Sequence, residues 1–389
     1  MLFLPPDTEY IIETLQKNGY EAYAVGGCVR DMLNGDTPHD FDITTSAEPE
    51  TVILLFEKTV PTGIKHGTVT VIINGVPNEV TTYRADGEYR DHRRPDSVVF
   101  VKSLREDLAR RDFTVNAMAY NKKDGLIDCF CGKEDIKNRL LRAVGEPERR
   151  FCEDALRILR LFRFSSVLEF DIEENTLKAA LEYAPTLKRV SAERIFAELL
   201  KTVCGKNPAA LKPLTDMGGL SFLGIKSRPD YDKIPLLKSP EIKLFTFLYS
   251  GGADAAEALE LLRAPNKTKK AAKDMLTLLN MPKPETKPEI KEMLYLTSPS
   301  AVESCFGYKQ AYGEDCKAAD VLLYEIIKNK EPYKIRDLKI TGTDLIKHGI
   351  TGEDIGKTLE KLRRAVILDP ALNTRKRLEE RLYIMKQTT

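Results

Sequence analysis

The sequence predicts an α+β multidomain protein: a mixed α/β head over residues 1–145, then an all-helical remainder. Three observations predict it. Alternating apolar residues and hairpin-type turns are confined to the N-terminal part of the chain. From Pro147 onward, apolar residues recur at i, i+3 and i+4. The length, 389 residues, exceeds what one ordinary hydrophobic core supports, so several domains are expected.

The elements follow in order. Thr8–Lys17 has helical spacing and stops at Asn18-Gly19. Tyr23–Val25 and Phe41–Thr44 read as short strands around a helix at Cys28–Leu33. Gly67–Ile73 alternates and meets Asn74-Gly75, a dipeptide suited to a tight hairpin, with a return strand over Glu79–Arg84. Ala85–Asp96 is polar and without periodicity, so a mobile loop is expected there, and Val98–Val101 resumes extended structure. Helices are expected at Phe151–Phe164, Glu173–Tyr183, Ala192–Val203, Ile242–Tyr249, Ala255–Arg263, Ala318–Lys328 and Lys357–Val366. No period marks a solenoid.

Composition narrows the class. No apolar run approaches the roughly 18 residues that span a membrane. The start, Met1 to Pro6, lacks the basic and apolar regions of a signal peptide. Seven irregularly spaced cysteines suit reduced thiols, so a cytoplasmic protein is expected. Cys129 and Cys131 are too close for the usual zinc spacing, and the four histidines form no pair. A net charge of +1 argues against a globally basic coat for nucleic acid but leaves room for local patches. Lys357–Thr389 carries nine Lys/Arg against four Asp/Glu, and Lys267, Lys269, Lys270 and Lys273 cluster. Either patch alone reads as a solvated helix face.

Three constellations carry chemistry. The first is Gly26-Gly27-x-x-Arg30-Asp31 followed by Asp40-x-Asp42. On a strand, residues i and i+2 share a face, so both carboxylates are expected to project together, a costly arrangement unless a cation lies between them. Asp40 and Asp42 are therefore the candidate metal ligands, and a hard cation such as Mg²⁺, which takes one or two carboxylates plus phosphates, fits them. Glu79 is the candidate third carboxylate. Gly26 and Gly27 would offer backbone N–H groups to phosphate at a helix start, and Arg30 would pair with triphosphate oxygens. A lone Asp-x-Asp is usually a strand end; the glycines and arginine before it point to nucleotidyl transfer.

The second constellation is Arg110-Arg111-Asp112-Phe-Thr-Val-Asn116, whose Arg111, Asp112 and Asn116 suit ribose and phosphate but also an ordinary salt bridge. The third is Asp154, Arg157, Arg160 and Arg163, expected on one helix as a slowly drifting stripe beside the docking stripe Leu156, Leu159 and Phe162. Three arginines against one aspartate leave a positive excess suited to a nucleotide.

With these motifs the chain resembles the class II tRNA nucleotidyltransferases, the CCA-adding enzymes and their bacterial poly(A) polymerase relatives. The ordered set is Gly26-Gly27-x-x-Arg30-Asp31, Asp40-x-Asp42, Arg110-Arg111-Asp112-Phe113 and Glu153-Asp154-x-x-Arg157. Val190-Ser-Ala-Glu-Arg194, Ile340 to Ile346 and Gly352-x-x-Ile-Gly356 extend the resemblance along nearly the whole chain. It implies a polymerase-β-like nucleotidyltransferase head (1–145), then helical neck (146–205), body (206–320) and tail (321–389). It implies Asp40 and Asp42 as Mg²⁺ ligands, Gly27, Arg30 and Arg111 at the incoming CTP or ATP, and Asp154, Arg157, Arg160 and Arg163 at a nucleotide-recognition helix. The implied partner is tRNA, held at its acceptor stem and elbow, with a homodimer left open.

In the family, Asp154 and Arg157 stand in for a nucleic-acid template. Cytosine and adenine each place an amino donor beside an unprotonated ring nitrogen. An aspartate accepts from the first while an arginine donates to the second. Uracil and guanine reverse that order, leaving buried groups mismatched at about 1–3 kcal/mol each. The loop Arg84–Asp96, with Asp91, Arg93 and Arg94, is expected to re-aim this pair for the final A. A poly(A) polymerase sharing the same motifs is the rival, and an inactive tRNA-binding module a more distant one. A fused phosphohydrolase is not expected, since His39, His66, His92 and His348 form no His-Asp pair.

Overall fold

In the computed structural model, the structure describes residues 2–86 and 98–387. The chain divides into two compact units. The first comprises Met1–Tyr231, Leu248–Asp254 and Leu261–Arg263; the second comprises Asp232–Phe247, Ala255–Glu260 and Ala264–Thr389.

The first unit opens with helix α1 (Pro6–Lys17), strand β1 (Ala22–Val25), helix α2 (Gly27–Asn34), strand β2 (Asp42–Thr45) and helix α3 (Pro49–Leu55). Strands β3 (Thr59–Gly63), β4 (Thr68–Ile73) and β5 (Val76–Thr82) follow, then a short pair, β6 (Arg84–Asp86) and β7 (Val98–Phe100). Helix α4 (Leu104–Ala109) leads to β8 (Met118–Asn121), β9 (Gly125–Asp128), α5 (Gly132–Lys137) and β10 (Leu140–Leu141). Helices α6 (Pro147–Glu153) and α7 (Leu156–Leu168), strand β11 (Asp171–Ile172), α8 (Glu174–Tyr183) and α9 (Ala192–Val203) complete the part that bears on the site.

Seven strands form one mixed sheet in the order β3-β4-β5-β2-β1-β8-β9. Strand β1, Ala-Tyr-Ala-Val, is buried along its whole length, as a central strand must be. Only the β2–β5 pair is parallel; the others are antiparallel. The β4–β5 hairpin turns at Asn74-Gly75, both at positive φ, as the dipeptide predicts. Register then assembles the site. Val25 pairs with Asp42, Val25 with Ala119, and Ile43 with Val80. One end of β1, β2, β5 and β8 thus brings together the glycine turn, Asp42, Glu79 and the segment before Met118.

Three expectations are corrected. Only Asp42 lies in β2; Asp40 sits two residues before it, outside the strand. Ala85 and Asp86, read as loop, pair with Val99 and Val98 in the β6–β7 ladder. The rest of the expected loop, with Asp91, Arg93 and Arg94, lies outside the described residues. The single helix expected over Phe151–Phe164 is two. Asp154 adopts extended φ −144 and ψ 104 between α6 and α7, so it shares no helix with the three arginines. The break has a local cause: the Asp154 carboxylate accepts the Leu156 N–H at 3.0 Å, an Asx-type turn that competes with the helical ladder.

The second unit is helical: α11 (Pro240–Ser250, shared with the first unit), α12 (Ala255–Leu261, also shared), α13 (Asn266–Leu279), α14 (Lys287–Leu296), α15 (Pro299–Ala311), α16 (Lys317–Lys328), α17 (Gly342–Lys347), α18 (Glu353–Leu368) and α19 (Arg375–Gln387), α10 being the short Lys212–Asp216 of the first unit. Leu338, Ile340, Leu345, Leu362, Val366, Leu378 and Leu382 form its C-terminal core. The Lys267–Lys273 cluster is largely paired within this unit, Lys267 to Glu241, Lys269 to Glu260 and Lys270 to Asp274. None of the seven cysteines is held in a disulfide. Among the described residues, no helix is long and apolar enough to cross a membrane.

Candidate active site

The turn after β1 is built around Gly26. Its φ of +83 and ψ of −129 strain any L side chain, and a Cβ there would lie 2.9 Å from Arg111 Nη1. Gly26 N–H donates to the Met118 carbonyl at 3.2 Å, tying the turn to β8. Gly27 begins α2, whose first N–H groups and dipole favour an anion. Arg30, on the first turns of α2, reaches Asn116 Oδ1 at 2.6 Å and Asp31 Oδ1 at 2.7 and 2.9 Å. Gly26, Gly27, Arg30, Arg111 and Asn116 therefore meet in one place.

Asp42 opens β2 beside this turn, and the parallel register places Glu79 of β5 across from it. Both are exposed, as is Asp40. Solvent reaches Asp42, yet the surrounding protein still desolvates its carboxyl, and this raises its pKa. Glu79 adds to the rise, Arg111 opposes it, and Asp40 raises it further. Three carboxylates with one guanidinium leave a negative excess at the mouth of the glycine turn. Among the described residues, no three His, Cys, Asp or Glu side chains already form a closed ligand set. Hard oxygen donors that repel one another and leave a shell open fit a divalent cation completed by phosphate and water. Cys28, next to Asp42, is pushed up to about 12 by burial and stays a thiol.

The second constellation is knit together by buried acids. Asp112 accepts from Arg160 at 2.6 and 2.8 Å, from Asn116 at 3.1 Å and from the Phe113 N–H at 2.8 Å. Burial alone would raise its pKa; Arg160 and these donors overcome that and bring it down to about 2. Asn116 thus joins Arg30 to Asp112, and Asp112 joins Asn116 to Arg160. The Phe164 ring packs beneath three guanidiniums, with Arg163, Arg30 and Arg160 at 4.0, 5.2 and 5.4 Å from its centroid.

The residues expected at the base stand apart from one another in their bonding. Asp154 is held by Arg194 at 2.7 and 3.3 Å. Arg157 is buried and donates to Glu153 at 2.6 Å, to the Arg150 carbonyl at 3.1 Å and to the Arg110 carbonyl at 2.9 Å. Arg163 pairs with Glu198 at 2.7 Å. The expected positive excess is therefore corrected: Arg157, Arg160 and Arg163 each face an acid, supplied by Glu153, Asp112 and Glu198. The last of these acids was not legible in the sequence, nor was the pairing of Arg194, quoted in its motif, with Asp154, because the partners lie dozens of residues away. Glu153 stood inside the quoted Glu153-Asp154 motif and could have been found from its i, i+4 spacing to Arg157.

Comparison with known proteins decides the family. Residues 22–142 match the family described as "Poly A polymerase head domain", residues 169–223 the family described as "Probable RNA and SrmB- binding site of polymerase A", and residues 238–382 the family described as "tRNA nucleotidyltransferase domain 2 putative". The CCA-adding enzyme of Lactobacillus helveticus is 36% identical over 386 residues, covering 96% of this chain and 95% of that one. The CCA-adding enzyme of Geobacillus kaustophilus is 38% identical over 389 residues, covering 95% and 94%. This chain belongs to the CCA-adding enzyme family. A solved Bacillus stearothermophilus CCA-adding enzyme in complex with CTP superposes with a TM-score of 0.85 at 33% identity, covering 100% of both chains. The α+β architecture, a mixed-sheet polymerase head followed by helices, is the family's. Membership implies nucleotidyl transfer with a divalent metal.

Proposed function

We propose that this protein adds C, C and A to the 3′ end of tRNA from CTP and ATP, without a nucleic-acid template, in the cytoplasm. The observation that carries the reading is the convergence of Asp42, Glu79 and Arg111 on the Gly26 turn, with Asp154 and Arg157 on the segment that follows the head. Mg²⁺ held by Asp40 and Asp42, when bound, lowers the pKa of the attacking 3′ hydroxyl and neutralises the triphosphate. Glu79 completes the acidic end. Gly26 and Gly27 let the triphosphate approach the start of α2, and Arg30 and Arg111 hold its oxygens. Asp112 and Asn116 keep Arg30 and Arg160 in place around Phe164.

Base choice falls to Asp154 and Arg157. The two Asp154 oxygens offer about four lone-pair sites; Leu156 N–H and two Arg194 nitrogens take three of them. Oδ2 retains a site for the amino group of C or A. Arg157 reaches a ring nitrogen by exchanging one of its present acceptors, and Glu153 steers it. The four-segment division into head, neck, body and tail goes with this reading, and the helical segments hold tRNA by shape and phosphate.

The test supplies purified protein with tRNA lacking CCA and each nucleotide singly, then together. Two cytidines from CTP, and one terminal adenosine only when both are present, is the expected product. Long tails from ATP alone would assign a poly(A) polymerase instead.

A further inference from the structure

Asp107, on α4, is fully buried, and no step above uses it. Its two oxygens face different parts of the site. Oδ1 accepts Arg110 at 2.8 and 3.0 Å and the Arg84 N–H at 3.4 Å. Oδ2 accepts the Thr44 hydroxyl at 3.2 Å and Arg111 Nη2 at 3.4 Å. Thr44 lies in β2 two residues after Asp42, so Oδ2 bridges the metal-bearing strand to the arginine over the glycine turn. Burial works against the charge on Asp107, but Arg110 and Arg111 overcome it and lower its pKa, so it is ionised at neutral pH.

Arg111 depends on this anchor more than its neighbours depend on theirs. Its Nη1 leans on Gly26, where a Cβ would come within 2.9 Å. Its Nε is buried with no hydrogen-bond partner among the described residues. The Asp107 carboxylate is the acid that pairs with it. A guanidinium with one long ion pair and an orphaned buried donor is held open for an anion, and the strand carrying Asp42 fixes where that anion must sit.

We propose that Asp107 is a positioning residue that sets Arg111 at a fixed distance from the metal-bearing strand, so that triphosphate affinity, and not base choice, depends on it. The inference rests on the reading of the glycine turn as the nucleotide site. It differs from a purely structural role for a buried acid, which would lower stability and leave the nucleotide KM unchanged.

Asp107→Asn preserves shape. Its amide can present oxygen to only one side, and the shorter Arg110 contacts favour that side, which turns the NH₂ toward Thr44 and Arg111. Full-length protein is assayed by steady-state kinetics on tRNA lacking CCA or the final A, alongside calorimetric CTP and ATP binding and a melting curve. Expected is a rise of about tenfold in KM for CTP and for ATP by the same factor, with kcat changed by less than about threefold. Arg111→Lys should raise KM likewise, and the double variant should be no worse than Arg111→Lys alone. An unchanged KM with only a lower melting temperature would overturn the proposal. So would additive effects, or a KM shift for one nucleotide and not the other. Should Asp107→Asn not fold, Thr44→Val removes the strand-side hydrogen bond. It should raise both KM values about two- to threefold and lose that effect in an Arg111→Lys background; an effect that persists there overturns the proposal. If wild type adds nothing to tRNA yet binds CTP, the proposed function fails while the calorimetric arm still decides the role of Asp107.

Discussion

The acidic end of the site and the recognition end treat charge in opposite ways. Asp40, Asp42 and Glu79 are exposed and lie close together, and the pKa of Asp42 is raised by desolvation first and then by Glu79 and Asp40. Asp154, Arg157, Arg160 and Arg163 are each matched by an opposite charge from the protein. On the proposed reading, the first end is completed by a cation, and the second, already paired, exchanges partners to read a base. Phosphate chemistry is the same for every nucleotide, so its site can wait as an unbalanced charge. Base choice changes between C and A, and under the proposed function a network of replaceable ion pairs would permit that without exposing bare charge.

The comparison breaks first at Asp42. Asp42→Asn should lower CTP and ATP incorporation together by about 10³-fold or more, measured by single-nucleotide extension of tRNA. Retention of either activity would show that the acidic end is not the metal site. At the other end, Asp154→Ala should spare the chemistry but reduce selection of C and A over U and G by about a hundredfold, read from misincorporation under equimolar nucleotides. Loss of rate with selectivity intact would remove Asp154 from base reading.

Asp112→Asn tests whether Arg160 is prepaired, because it removes the buried charge that Arg160 faces. It should cost about 3 kcal/mol of unfolding free energy by denaturant titration. The pH dependence sharpens the same contrast. Asp112 has a native pKa of about 2, below its unfolded value, so it contributes about 2 kcal/mol above the ordinary carboxylate range. That contribution is lost as pH falls through about 2. Asp42 has the opposite sign. Its native pKa is raised, so the native state binds the proton more tightly, and stability declines as pH climbs from the unfolded carboxylate range through the native value. The smallest effect follows: in metal-free buffer at neutral pH, Asp42→Asn should melt slightly above wild type, and added divalent cation should remove the difference by stabilising wild type alone. A lower melting temperature for Asp42→Asn would contradict a carboxylate disfavoured by desolvation and its acidic neighbours.

Much of the site was legible because its signals are local. Gly26-Gly27, Asp40 and Asp42 lie within one strand–helix–strand unit, and the Asn74-Gly75 hairpin places β5 beside β4 by turn chemistry alone. The helix break at Asp154 was not legible. Leu156 and Ile158 continue the apolar spacing, and nothing in that spacing shows that the Asp154 carboxylate takes a backbone donor from the following turn. Asp107, Glu198 and the partner of Arg194 were missed for a different reason. A charged residue on a helix is usually solvated, and only packing reveals which ones are buried against distant partners.

By itself the sequence determined the order of α/β and helical segments, the glycine turn, the paired acids and the motif set that places the chain among its relatives. Periodicity and turn chemistry act over a few residues, so they can be read without a fold. Only the tertiary structure decided that Glu79 lies opposite Asp42, that Arg111 rests on Gly26, and that Arg157, Arg160 and Arg163 each pair with an acid. Strand register and burial join residues far apart in the chain, and the strength of a charge depends on what surrounds it once they meet.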